Sequence, residues 1–157
     1  MLENCHSLQE RWGGVSDIID RWLDERKTLI VAYTQLSATG EFDSANPKHG
    51  QSVQQFCEVL VDYVSAGHFE VFQQLISEAD AFGDSAAVER GEHLLEQIQT
   101  TTEFILDFND KYLETDDLDS LKDDLCEMGP MLATRFEHED GMIERLHNAH
   151  LDQASAT

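Results

Sequence analysis

Apolar residues recur at three- and four-residue intervals along most of the chain, the period of one face of an α-helix. In the first segment, about 5–37, Leu8, Trp12, Val15, Ile19, Trp22, Leu29, Tyr33 and Leu36 form one seam that only Arg26 interrupts. The stretch ATGEFDSANPKHG at 38–50 combines glycine, proline, serine and asparagine and reads as a loop. A second helix is expected over about 51–81, with Leu60, Val64, Val71 and Leu75 facing inward. Gly67 in its middle weakens it and calls for a packing reason or the close approach of a partner. Gly83 and Asp84 read as a helix stop followed by a cap. A third helix, about 85–114, carries Val88, Leu95, Ile98, Ile105 and Tyr112 as its stripe.

The acidic break TDDLDS at 115–120 leads into a fourth helix over about 118–150. Its seam is Leu118, Leu121, Leu125, Met128, Leu132, Met142 and Leu146. Pro130 is expected to kink or split it near Gly129. The tail at 151–157 is expected to fray. No alternating run of useful length predicts a strand. Four helices with short connections predict an all-α protein, an antiparallel four-helix bundle in one domain spanning 1–157.

The segment FCEVLVDYVSAGHFEVF at 56–72 is more apolar than one core requires. A second stripe, Val59, Ala66 and Phe69, lies on another face with Asp62 inside it, and soluble proteins rarely leave such a surface without a use. Polar residues also break the inward seams: Arg26 in the first, Arg135 and Glu139 in the fourth, and His68 beside the inward stripe of the second. Buried charges without partners are costly. These residues therefore predict a polar layer of Arg26, His68, Arg135 and Glu139, with Asp62 as a further candidate. Its first expected role is to fix helix register. Its second is to form a ligand pocket or a switchable partner contact.

Charge narrows the partner. The chain has 32 acidic and 10 basic residues and a formal net charge of −22. Residues 1–37 contribute only −2, so the remainder carries −20. Such a chain is repelled by nucleic acid phosphates and by anionic membranes, and attracts a basic partner. No apolar run is long enough to span a bilayer, and the N-terminus lacks a secretory pattern. The three cysteines, Cys5, Cys57 and Cys126, form no paired framework, which predicts a reducing cytoplasm.

Catalytic chemistry finds little footing. Two Glu-x-x-His matches, Glu3 with His6 and Glu144 with His147, lie near the chain ends, and about one is expected by chance. The sequence has no phosphate-binding glycine loop, nucleophile elbow or zinc-binding cysteine pattern. A binding protein without cofactor or metal is expected rather than an enzyme. The alternative is a bundle that binds a metal or small ligand at its polar layer. A third possibility is self-association through the second apolar face, although a monomer is expected for the free chain.

DRWLDERKTLIVAY (20–33), FCEVLVDYVSAGHFEVF (56–72) and RFEHED (135–140) closely resemble the Rsd/AlgQ family of anti-sigma factors. RWGG (11–14), FNDKY (108–112) and LHNAH (146–150) are most similar to its AlgQ branch, which is linked to alginate production. The resemblance implies a helical bundle that binds the primary RNA polymerase sigma factor through sigma region 4. Capture would block contacts with core polymerase and promoter DNA and so regulate transcription. Mapped residue by residue, the motifs imply partner binding by Arg21, Trp22, Asp62, Tyr63, Ser65 and Phe69. Of these, Asp62, Tyr63 and Phe69 are expected to touch sigma, with Arg26, His68 and Glu139 orienting that surface.

Overall fold

The computed structural model describes residues 2–155, with side chains from residue 8 onward. The elements are α1 (Leu2–Ala38), α2 (Pro47–Ala66), a π-helical turn (Gly67–Val71), α3 (Phe72–Ala81), α4 (Ser85–Glu114) and α5 (Leu121–Leu146). A 3₁₀ turn (Asn148–His150) and a short α6 (Leu151–Ser155) follow. No strand occurs among the described residues. Four long helical rods, the second being α2, the π turn and α3 in series, form the expected all-α bundle around one apolar core.

Local chemistry sets the ends of the rods. Asn46 caps α2 by accepting from the Lys48 amide at 3.0 Å, and Pro47 occupies the first helical position, where a missing N–H does no harm. The second helix thus starts four residues before the expected Gln51. Gly83 ends α3 with φ of +75°, while its amide bonds the Asp80 carbonyl and the Asp84 amide bonds that of Ala79. This Schellman pattern satisfies carbonyls that α3 would otherwise leave bare. Asp84 then caps α4 by accepting from the Ala87 amide at 3.1 Å.

Two expectations about the last helix need correction. Pro130 does not split it, since α5 runs unbroken from Leu121 to Leu146 with the proline inside. A Cβ on Gly129 would lie 2.5 Å from the Tyr33 hydroxyl, so glycine lets α1 approach closely there. That hydroxyl donates to the Leu125 carbonyl at 2.6 Å and so ties α1 to α5 at this point. The tail does not simply fray over 151–155 either: it forms α6 and buries Ala154.

The second rod contains the main surprise. Before the π turn the buried positions are Val53, Phe56 and Cys57, Leu60, Tyr63 and Val64, then Gly67. After it they are Val71 and Phe72, Leu75, then Glu78 and Ala79. Continuing the first phase unbroken would turn 70, 74 and 77 inward. The observed set comes one residue later. The π turn takes up that extra residue, as shown by the Phe72 amide bonding the Gly67 carbonyl five residues back. Glu70 is consequently exposed, as are His68 and Phe69.

Candidate functional site: the π turn and the buried polar layer beneath it

Gly67 positions the turn. A Cβ there would sit 3.1 Å from both Trp22 Cζ2 and Phe72 Cζ, so the helix backbone lies directly against these rings. Trp22 is 2% exposed, meets Phe72 edge-on at 5.5 Å between centroids, and tilts against Tyr63 at 5.0 Å. Its indole N–H donates to the Tyr63 carbonyl at 3.2 Å. One buried ring from α1 thus packs into the π turn and bonds the backbone just before it.

Beneath the turn lies the polar layer. Glu139 is fully buried on α5 and receives the Tyr63 hydroxyl at 2.5 Å. Arg135 donates from Nε to the other carboxylate oxygen at 3.0 Å. The Arg135 Nη1 turns to α4, donating to the Thr101 and Thr102 hydroxyls at 3.0 and 2.7 Å and to the Ile98 carbonyl at 3.3 Å. Arg26 reaches across from α1 to the Tyr63 hydroxyl at 3.0 Å, Glu139 at 3.3 Å and Asp140 at 2.6 Å. Its guanidinium lies between the rings of Trp22 and Phe136, 5.6 and 4.8 Å from their centroids. All four long rods therefore meet in one hydrogen-bonded layer.

Burial pushes the Glu139 carboxyl above the ordinary carboxylate range, against the pull of Arg135, Tyr63 and Arg26. Burial and the nearby Glu139 charge push the Tyr63 phenol up, which keeps it a donor. Burial opposes the charge on Arg26, but Tyr63, Asp140 and Glu139 outweigh it and hold the guanidinium above its ordinary value.

The expected layer thus forms from Arg26, Arg135 and Glu139, with two corrections. His68 is exposed and packs edge-on against Phe69 at 4.8 Å between centroids. In the phase of the buried stripe position 68 already faces outward, in line with half-buried Val61 and exposed Gln54, so it does not join the layer. Asp62 is exposed too, and Tyr63 takes the interior place beside Glu139. Of the residues expected to touch a partner, Phe69 is 75% exposed, Arg21 is exposed and Ser65 is half-buried. Trp22 and Tyr63 are interior and support the turn from below.

Phe69 projects from an acidic surrounding. Glu25 on α1 feels both Asp62 and Glu70; burial and these two charges raise its carboxyl, and Arg21 opposes them. An apolar knob accompanied by carboxylates suits a partner that combines an apolar pocket with basic side chains.

A second polar cluster went unread in the sequence. Glu78, fully buried, faces Nδ1 of His147 at 2.8 Å, and Trp12 stacks on that imidazole at 4.2 Å. Asp84 meets Arg145 and Nε2 of His150, each at 3.0 Å. Together they tie the 3₁₀ turn back onto α1, α3 and α4. The signal for Glu78 was its place three residues after Leu75 and seven after Val71, on the inward stripe. Glu144 and His147 do not converge on a metal: Glu144 is exposed and accepts from Asn148. Glu3 and His6 lie outside the described side chains. Among the described residues, no group of three or more His, Cys, Asp or Glu is placed to hold a metal ion. No described helix is long and apolar enough to cross a membrane.

Known proteins are similar to this chain over most of its length. A protein named Regulator of sigma D from Salmonella typhi is 33% identical over 159 aligned positions, covering 98% of this chain and 96% of its own. Another of that name from Yersinia pseudotuberculosis (serotype O:1b) is 30% identical over 149, covering 92% and 88%. The family model described as regulator of RNA polymerase sigma(70) subunit, Rsd/AlgQ, matches residues 1–147. That span takes in α1 to α5, the π turn and the polar layer, and the chain belongs to the Rsd/AlgQ family.

Proposed function

We propose that this protein is an anti-sigma factor that captures the primary sigma factor, with the π turn as its docking surface. The observation that carries the reading is Phe69: a phenylalanine 75% exposed on the π turn, next in sequence to Glu70, whose charge is felt together with that of Asp62 by Glu25 on α1. Family membership supplies the partner, and the net charge of −22 suits a basic one. Phe69 enters an apolar pocket on sigma region 4, while the carboxylates meet its basic side chains. Region 4 held in this way is withheld from core polymerase and promoter DNA, and transcription through the primary sigma factor falls. The protein works by occupancy and not by catalysis, as a monomer in the cytoplasm, with no direct contact to nucleic acid or membrane.

Calorimetric titration with sigma region 4 tests the reading. Phe69→Ala should lose at least about 1–2 kcal/mol of binding, the behaviour of an interface anchor. Unchanged affinity removes Phe69 from the interface, and absence of any binding by the unaltered protein overturns the anti-sigma reading.

A further inference from the structure

The groove between α2 and α4 runs along the second rod and meets the acidic edge of the π-turn surface at Asp62. Two hollows, of about 530 and 360 Å³, adjoin there and share Gln54 and Glu58 in their linings. Buried Val53 and Leu118 contribute to the first, and Val61 and Leu113 to the second. Glu58, Asp62 and Asp116 supply its charge, no lysine, arginine or histidine lines either hollow, and none of these three acids has an ion-pair partner among the described residues. On α4, Leu113 of the second hollow is 61% exposed, and Leu106, 43% exposed and outside both linings, stands seven residues before it, two turns along the same face.

We infer that this groove is a second docking surface, and that its occupant is a basic amphipathic helix of a protein partner. The stretch of α2 from Pro47 to Asp62 is about 22 Å long, room for roughly four turns of a bound helix. Apolar side chains seven residues apart on that helix match Leu106 and Leu113, and flanking lysines or arginines match the three unpaired carboxylates. A second copy of this chain fits poorly, because it brings another net charge of −22 to an acidic groove. The inference does not rest on sigma capture at the π turn. Loss of that reading leaves it standing.

The test is fluorescence anisotropy with a labelled 14-residue amidated peptide of leucine and lysine in heptad register. The full-length protein should bind it, more weakly as salt rises. Glu58→Gln with Asp116→Asn, and separately Leu106→Ser with Leu113→Ser, should each weaken binding at least tenfold while circular dichroism stays unchanged. Phe69→Ala should leave it within twofold. Glu89→Gln with Glu96→Gln removes the same charge elsewhere on α4 and should do likewise. Equal loss in that last variant means diffuse attraction and overturns the groove. Equal loss in Phe69→Ala means the peptide sits at the π turn and also overturns it. A dimer in sedimentation velocity that is lost in Leu106→Ser with Leu113→Ser replaces the helix with a second copy.

Discussion

Replacing Glu139 by leucine isolates the energetics of the polar layer. Glu139 is fully buried and Arg135 is 1% exposed, so the variant leaves a guanidinium in the core without its carboxylate. Arg135 keeps its bonds to Thr101, Thr102 and Ile98, but each of these acceptors is neutral. The Tyr63 hydroxyl loses its acceptor, and Arg26 keeps only Asp140 as an ionic partner. Breaking a buried pair in this way costs about 3–5 kcal/mol. Against a total stability on the order of 5–15 kcal/mol, the variant should unfold at far lower urea. Adding Arg135→Met removes the stranded charge and should restore at least about 2 kcal/mol, because buried pairs replaced by apolar residues are often neutral in their effect. The measurement is equilibrium urea unfolding of Glu139→Leu, Arg135→Met and the double variant with the slope held common. A loss below about 1 kcal/mol for Glu139→Leu, or a double variant as unstable as the sum of the singles, refutes the reasoning.

Gly67→Ala gains about 1 kcal/mol of helix propensity but places a methyl 3.1 Å from two rings; overpacking of about 1–3 kcal/mol should win, read as a lowered thermal midpoint and altered Trp22 fluorescence. Asp84→Ala removes the α4 cap and should cost about 0.5–2 kcal/mol by urea unfolding near neutral pH, whereas Asp84→Asn keeps much of the capping. Bonds from the Ala87 amide, His150 and Arg145 hold the Asp84 carboxyl below its ordinary value of 3.8. Its stabilisation is therefore complete above that value and fades as pH falls through the lower folded one, so the gap between wild type and Asp84→Ala should shrink in acid. Glu78 runs the other way: burial raises its carboxyl above 4.5, so its ionisation costs stability as pH climbs past that value, and Glu78→Gln should flatten this fall in urea midpoints measured across pH.

Much of this was legible from the apolar period, because burial of one helical face is a local rule. The four rods, the Gly83–Asp84 junction and three members of the polar layer all follow from residues read against their own helix. The misses arise where a local period is too coarse. His68 stands one turn from Val64 and so reads as inward, yet it lies one position past Gly67, the residue that carries the buried stripe. The one-residue shift at the π turn is written in the sequence, since the stripe ending at Gly67 resumes at Val71 and Phe72, but a single fixed period hides it. Pro130 reads as a break from its local cost, yet α5 carries it inside, next to the point where Gly129 lets Tyr33 of α1 approach closely. The Glu78–His147 pair depends on the return of the 3₁₀ turn to α3, a long-range approach that no local pattern encodes.

The same geometry separates exposed Phe69, the proposed contact, from interior residues that hold the surface in place. Glu139 fixes Tyr63, the Tyr63 carbonyl fixes Trp22, and Trp22 packs against Gly67, two residues before Phe69. Phe69 is thus presented on a turn already ordered in the free protein, which spares the complex part of the entropy of fixing it. Tyr63→Phe should then lower stability by about 1–3 kcal/mol, since a buried carboxylate oxygen loses a donor. Its effect on sigma capture should appear only as far as the turn is loosened, and should vanish at temperatures well below the melting midpoint. Phe69→Ala should do the reverse, weakening capture at every temperature with an unfolding midpoint close to that of the wild type. Region 4 titrations at 10 and 30 °C alongside urea unfolding distinguish the two. If Tyr63→Phe weakens binding as much as Phe69→Ala at 10 °C while its unfolding is unchanged, the Tyr63 hydroxyl contacts the partner directly and its role as an interior support is wrong.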